Sequence, residues 1–232
     1  MTRPGPEENR EQRRAEIVRT ALALLADGGM ERLSMRRVAQ ALGMHPPGLY
    51  WYVESKQELI DLMAGAILDE VRDSTPPAPG GPTWAEWRDE GARALRRALL
   101  AYRDGARVVA GAYPFRTDAI VRGLERSLAI MEGEGFTRDA AMVGVATVMR
   151  YTIGIALDEQ ASPPIPADAF RRLAEGIPLG PPIDAERFPR VAEVLGRWMR
   201  DVWGTTDDPG EAHFRRGLTI VIAGIRVSRD AA

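Results

Sequence analysis

Arg36, Arg37, Tyr50, Tyr52 and Lys56 lie close together in the stretch SMRRVAQALGMHPPGLYWYVESKQE, residues 34–58. Guanidinium and ammonium groups neutralise phosphates, tyrosine hydroxyls donate to phosphate oxygens, and an arginine can grip a guanine edge with two hydrogen bonds. The set suits nucleic-acid binding better than catalysis. The chain has two histidines, His45 and His213, in different expected domains, and no nucleophile–base set, metal-ligand spacing or phosphate loop accompanies them. His213 reads as a helix-surface or interface residue. There is no cysteine, which excludes disulfides, thiol catalysis and thiolate zinc sites. No enzyme, cofactor or metal is expected.

The elements that must position these groups are short helices. Ser34 can cap a helix start, Val38, Ala39 and Leu42 share one face of that helix, and Gly43 can take the left-handed conformation that closes it. Pro46 can open a second helix, since its missing N–H would be unpaired in the first turn anyway. Leu49 faces inward from it, followed by Tyr50, Trp51 and Tyr52. Ser55 and Glu58 form a capping box for a third helix. Two short helices joined by a glycine turn make a helix-turn-helix, whose second helix enters the DNA major groove. Spacing alone leaves a second reading open, an ordinary helical hairpin with a solvated charged face.

The stretch resembles the DNA-binding module of the TetR family of bacterial repressors. The likeness rests on Arg36-Arg37-x-Ala39, Leu42-Gly43, Leu49-Tyr50-Trp51-x-Val53 and Lys56, behind a preceding helix. Further on, Tyr102-Arg103-Asp104-Gly105-Ala106 and Ile153-Gly154-x-x-Leu157-Asp158-Glu159-Gln160 resemble the regulatory domain of the family's tetracycline-repressor branch. Only the N-terminal tail and residues 161–189 fall outside the likeness.

By that resemblance Arg36 is the candidate base contact, followed by His45, Pro46 and Gly48 at the start of the recognition helix. Pro46, Pro47 and Gly48 stand where the tetracycline repressor has Gln, Pro and Thr, so direct readout by this helix is thin and the operator should differ. Pro46 can touch a thymine methyl. Ser34, Tyr50, Tyr52 and Lys56 match phosphate-contact positions, which place the protein without reading sequence. Trp51 either packs on the phosphate backbone or fills the core of the small domain.

Along the rest of the chain the pattern is helical throughout, with about ten helices and no strand. Residues 1–8 read as a disordered tail, 9–58 as the helix-turn-helix DNA-binding domain and 59–232 as an effector-binding and dimerisation domain. Asn9 can cap the first helix, Gly28-Gly29 end it, and Arg10, Arg13 and Arg14 near its start can face either phosphate or solvent. The helix opened by Ser55 runs to Arg72 and forms the mechanical link between domains. Thr83 and Glu86 cap a helix carrying Trp84, Trp87, Leu95, Leu99 and Leu100, broken at Asp104-Gly105. Shorter pieces follow at 108–112 and 120–131. Residues 161–189 read as a mobile loop with at most a short helix at 168–175, and 191–203 as a further helix. The helices 139–160 and 211–228 are strongly apolar and carry Gly144, Gly154, Gly217 and Gly224. An interior glycine costs about 1 kcal/mol relative to alanine, which implies a packing reason. The resemblance implies that these two helices form a homodimer interface; burial within one subunit is the alternative.

The resemblance also supplies an effector site. Where the tetracycline branch holds a magnesium–tetracycline chelate with His, Asn, Thr, Arg and Gln, this chain has Arg72, Gly91, Val109, Ala112, Tyr113 and Ser127. Only Asp158 keeps its carboxylate. Leu95, Met142, Val145 and Met149 make the remaining wall apolar, although each methionine also suits ordinary core filling. These substitutions argue against tetracycline and its metal, and for a hydrophobic or aromatic small molecule oriented by Tyr113 and Arg72.

The chain of 232 residues has a net charge of -2, so no general basic field favours nucleic acid, but a local patch suffices when two copies bind together. No apolar run is read as reaching the roughly 20 residues needed to span a bilayer, and the first residues, MTRPGPEENREQRR, lack the apolar segment of a secretory signal. A cytoplasmic, ligand-responsive repressor is expected, binding a palindromic DNA operator as a homodimer. The rival is a helical dimer that keeps a ligand-binding or scaffold role without specific DNA binding.

Overall fold

The computed structural model describes residues 6–74, 83–113, 116–161, 172, 175, 183–195 and 208–230. The chain is all-helical. Among the described residues there are nine helices, a further helical stretch at 189–195, and no strand. The helices are α1 (Pro6–Arg32), α2 (Met35–Ala41), α3 (Pro46–Tyr50), α4 (Lys56–Ser74), α5 (Trp84–Ala101), α6 (Gly105–Gly111), α7 (Asp118–Gly133), α8 (Arg138–Ala161) and α9 (Pro209–Asp230). By compactness the chain divides into residues 1–160 with 222–232, and residues 161–221.

Most helix ends follow from local chemistry. Ser34 caps α2 by accepting the Arg37 amide at 3.3 Å, and Gly43 closes the turn after it at φ 65°. Pro46 opens α3. The Ser55 hydroxyl accepts the Glu58 amide at 3.0 Å, while the Glu58 carboxylate reaches back to the amide of Glu54 at 2.6 Å. The Thr83–Glu86 capping box of α5 is complete in both directions.

Two boundaries correct the expectation. Helix α1 begins at Pro6, three residues before the cap expected at Asn9, because a proline suits the first turn and Glu7 and Glu8 complement the helix dipole there. It continues in name to Arg32, but Gly29 at φ 66° kinks it where the Gly28-Gly29 pair was expected to end it. Helix α6 starts at Gly105, not Val108, directly after Asp104 in the left-handed region at φ 57°. Gly105 itself is tightly enclosed, since a Cβ there would meet the Leu99 carbonyl oxygen at 2.3 Å.

In the first unit one apolar cluster runs without a break from the first helices into the later ones. It includes Ile17 and Leu25 of α1, Val38, Leu49 and Val53 of the helix-turn-helix, Leu59, Met63 and Ile67 of α4, Leu99, Val108 and Ala156. The division expected at Glu58 therefore falls within a continuous core. Helix α4 lies centrally and packs on α1, α5, α6 and α7.

Helix α8 corrects a second expectation. Over an 18-residue window its mean hydropathy is 1.6, so by length and composition it does reach the range of a spanning helix. Only a third of that window is buried, and Met142 and Val143 are exposed on it. Gly144 is packed within the chain, with Ile225 and Met131 side-chain atoms 3.0 Å from where its Cβ would be. Gly154 and Gly224 face open space instead. Helix α9 buries Phe214, Leu218, Ile222 and Ile225 and leaves Ile220 and Val227 exposed.

In the second unit the Asp184 carboxylate accepts the amides of Glu186 and Arg187, both at 3.0 Å, ahead of the helical residues 189–195. Asp208 caps α9 through the Glu211 amide at 2.8 Å. Of the loop and short helix expected at 161–189, residues 162–171, 173, 174 and 176–182 lie outside the described residues, as does the end of the helix expected at 191–203.

Candidate nucleic-acid interface and effector site

The helix-turn-helix turns its apolar side inward: Val38, Ala39, Leu49 and Val53 have no exposed surface, and Leu42 packs partly buried beside them. That packing turns Arg36, Arg37, His45, Pro46, Pro47, Gly48, Tyr50, Trp51 and Lys56 outward, while Ser34 and Tyr52 are half-buried. Arg36, Tyr50 and Lys56 make no side-chain hydrogen bond or ion pair among the described residues. Arg37 instead turns back to donate to the Arg32 carbonyl at 3.3 Å. A Cβ on Gly48 would meet only Met44 Cε at 3.7 Å, so the fold does not demand glycine there.

Trp51 does not fill the core. It is 64% exposed, stands edge-on to Tyr52 with ring centroids 4.8 Å apart, and lies under the Arg10 guanidinium at 5.4 Å. Leu49 and Val53 on either side already close the small core, which leaves the indole outside. Arg13 pairs with Glu16 at 2.6 Å and Arg14 with Glu58, so both are engaged within the chain.

Two sets of contacts tie α6 to this head. At its start, Asp104 Oδ2 accepts the Met30 amide at 2.7 Å, and Arg107 pairs with Glu31 at 2.7 Å. The Arg107 hydrogen bond holds the Glu31 carboxyl below its ordinary value. At its end, Gln57 Nε2 donates to the Gly111 carbonyl at 2.8 Å and to Asp61 Oδ1 at 3.0 Å. Asp61, almost fully buried, also accepts the Tyr113 amide at 2.9 Å. The motifs that carry the family resemblance meet at the same corner. Gln160 donates to the carbonyls of Leu99 and Tyr102 at 2.9 and 2.8 Å and accepts the Ala106 amide at 3.1 Å.

The residues expected to hold an effector are dispersed in exposure. Val109, Ala112, Ser127 and Val145 are buried, and Leu95 and Met149 pack partly buried against the main cluster. Tyr113 and Met142 are exposed. Arg72 belongs to α4, but its side chain lies outside the described residues. Two shallow grooves, along Arg190, Val191, Val194 and Leu195 and along Ala212, Arg215, Arg216 and Thr219, are lined by none of these residues.

The expected set omitted Arg88. Its guanidinium lies 4.1 Å from the Trp87 ring centroid, and Nη2 donates to Ser127 Oγ at 3.1 Å. The Ser127 hydroxyl in turn donates to the Gly123 carbonyl at 2.6 Å. Arg88 Nε and Trp87 Nε1 are both enclosed and have no hydrogen-bond partner among the described residues. Burial pushes the Arg88 guanidinium down to about 10, still protonated at neutral pH. A Cβ on Gly91 would meet only Arg88 Nη2, at 4.0 Å, so space opens beside that nitrogen. Helical spacing could have found it, because Trp84, Arg88, Gly91 and Leu95 recur at intervals of four, three and four along one face.

Comparison with known proteins agrees with this arrangement. Residues 17–63 match the family "Bacterial regulatory proteins, tetR family", and residues 76–229 match "Tetracyclin repressor-like, C-terminal domain". The class C tetracycline repressor protein of Escherichia coli is 34% identical over 95% of this chain and 93% of its own length. A crystal structure of a possible TetR family transcriptional regulator from Streptomyces coelicolor A3(2) has 35% identity and a TM-score of 0.72, covering 92% of this chain and 98% of that one. The Streptomyces coelicolor TetR family protein ActR, solved in complex with actinorhodin, has 30% identity and a TM-score of 0.74 over 93% of this chain and 97% of its own.

Proposed function

The chain belongs to the TetR family of bacterial regulatory proteins, and from that premise we propose that it is a cytoplasmic repressor. It binds a palindromic operator as a homodimer and is released by a small hydrophobic or aromatic effector. Regulators of this family are non-enzymatic, bind DNA operators and small molecules, and form dimers. Residues 9–58 read the DNA, and residues 59–232 bind the effector and pair with a second copy.

The observation that carries the reading is the division of the helix-turn-helix into an inward apolar side and an outward set. Arg36, Tyr50 and Lys56 are exposed and unengaged among the described residues, as phosphate- and base-binding groups must be. Arg36 takes the base contact. Ser34, Tyr50, Tyr52 and Lys56 take phosphates, Trp51 packs against the backbone, and His45, Pro46 and Gly48 approach the groove closely. The homodimer reading draws on exposed Met142, Val143, Ile220 and Val227 and on Gly154 and Gly224, which face open space on the two helices concerned.

The effector acts through α6. Recognition helices of a dimer must sit about 34–36 Å apart to enter successive major grooves. A ligand that favours another separation weakens binding by its differential affinity for the two states. Helix α6 is hydrogen-bonded at one end to the close of α1 and at the other to α4, so a shift of α6 reaches the head through both.

Gel retardation of DNA upstream of the protein's own and neighbouring genes, followed by addition of aromatic compounds, tests the proposal. A retarded fragment containing an inverted repeat, released by an apolar aromatic, supports it. Release by magnesium–tetracycline alone would overturn the effector assignment, and retention of every fragment alike would favour the scaffold reading.

A further inference from the structure

We propose that the effector is an organic anion, and that Arg88, set among Trp87, Gly91 and Ser127, is the group that binds its negative charge. The inference rests on the reading of residues 59–232 as a domain for an aromatic effector and adds the ligand's charge to it.

Two arginines of α5 are treated differently by the fold. Arg96 and Arg88 lie two helical turns apart; Arg96 is almost fully buried, and Arg88 is half-buried with its Nε enclosed. Arg96 is answered by a carboxylate, with Nε and Nη2 on the two oxygens of Glu159 at 2.9 and 2.7 Å. Arg88 receives one neutral acceptor, Ser127 Oγ, and the face of an indole. No carboxylate pairs with it among the described residues. A second guanidinium, that of Arg126, lies 5.9 Å from the same indole. A desolvated cation is costly unless it meets an opposite charge with good hydrogen bonds, and the cation–π contact compensates only in part.

The unsatisfied atoms define what is missing. Arg88 Nε and Trp87 Nε1 are both donors, both enclosed and both without an acceptor. A metal ion or an ammonium group cannot satisfy them. The missing partner is an acceptor, and beside a full positive charge it is an anionic one, such as a carboxylate, sulfonate or phenolate. The open space on this side chain lies at Gly91, beside Nη2, so an anion there would meet the Nη2 edge of the guanidinium. Gly91 and Ser127 are themselves two of the positions where the resemblance places the effector, so the unanswered charge lies where a ligand is expected.

The test uses two fluorescent probes that differ by one charged group, anilinonaphthalene sulfonate and uncharged phenylnaphthylamine, titrated into the full-length protein. The wild type should bind the sulfonate at least ~10-fold more tightly than the neutral probe, as a charged hydrogen bond requires. Arg88→Met should remove that advantage and leave the neutral probe's affinity unchanged, with Arg88→Lys between the two. The melting temperature of free Arg88→Met should equal or exceed the wild type's, because no carboxylate is left stranded. Equal binding of the two probes by the wild type would overturn the anion proposal while the aromatic pocket stood. An advantage that persists in Arg88→Met, or a variant that melts lower or fails to fold, would also overturn it by showing that the charge is answered within the chain. Binding of neither probe would remove the aromatic-effector reading itself, and the proposal with it.

Discussion

The carboxylate of Asp104, at the corner that opens α6, accepts the backbone N–H of Met30, at the close of α1, over 2.7 Å. Both ends of this bond depend on unusual backbone. Asp104 is the one non-glycine residue at positive φ among the described residues, and Met30 follows Gly29, which is also left-handed. A Cβ on Gly29 would sit 2.6 Å from Asp104 Oδ2, so the approach requires glycine there. The bond joins the part of the chain proposed to sense the effector to the part proposed to hold DNA.

Two substitutions of Asp104 test the hydrogen bond together with the backbone conformation it accompanies. Asp104→Ala should destabilise the protein by about 1–3 kcal/mol, since a partly buried donor loses its partner and alanine resists the left-handed region. Asp104→Asn keeps an acceptor and tolerates that conformation, so it should cost much less. Denaturant unfolding of the three proteins measures this. Equal losses in both variants would show that the hydrogen bond contributes nothing.

At the other end of α6, Gln57→Ala removes a donor shared between the Gly111 carbonyl and Asp61. The expected result is a modest loss of stability, about 1 kcal/mol, with a larger change in the effector concentration that releases DNA. An unchanged release curve would mean that α6 does not act on α4 through this contact.

Two glycines should respond in opposite ways to the same change. Gly105→Ala drives a methyl into the Leu99 carbonyl at 2.3 Å and should destabilise by more than about 2 kcal/mol or prevent folding. Gly48→Ala meets nothing closer than 3.7 Å and should stabilise the recognition helix by up to about 1 kcal/mol. Its effect should appear instead in DNA affinity, where the added methyl meets the groove. Thermal melts with and without operator distinguish the two.

What could be read from sequence was local. The caps at Ser34, Ser55 and Thr83 and the opening and turn at Pro46 and Gly43 are set by residues within four positions of each other, and each is found where the pattern put it. What escaped was decided across the chain. Trp51 could not be placed until Leu49 and Val53 were seen to close the core without it. Arg88 could not be distinguished from other arginines of α5 until Arg96 was found on Glu159, 63 residues away, and Arg88 on no carboxylate. The Leu157–Gln160 motif was legible only as a likeness. Its physical reason is that Gln160 fastens the turn from α5 to α6, and no spacing within the motif reveals that.

Specific DNA recognition through Arg36 underlies the proposed function, and equilibrium binding of wild type and Arg36→Ala to the upstream inverted repeat measures it. Fluorescence anisotropy at two salt concentrations should show saturable binding by the wild type that weakens steeply with salt. Arg36→Ala should lose about 1–3 kcal/mol on that repeat and almost nothing on unrelated DNA, because a base contact carries sequence while phosphate contacts do not. Equal affinity of the wild type for both DNAs, or no difference between wild type and variant on the repeat, would contradict the account.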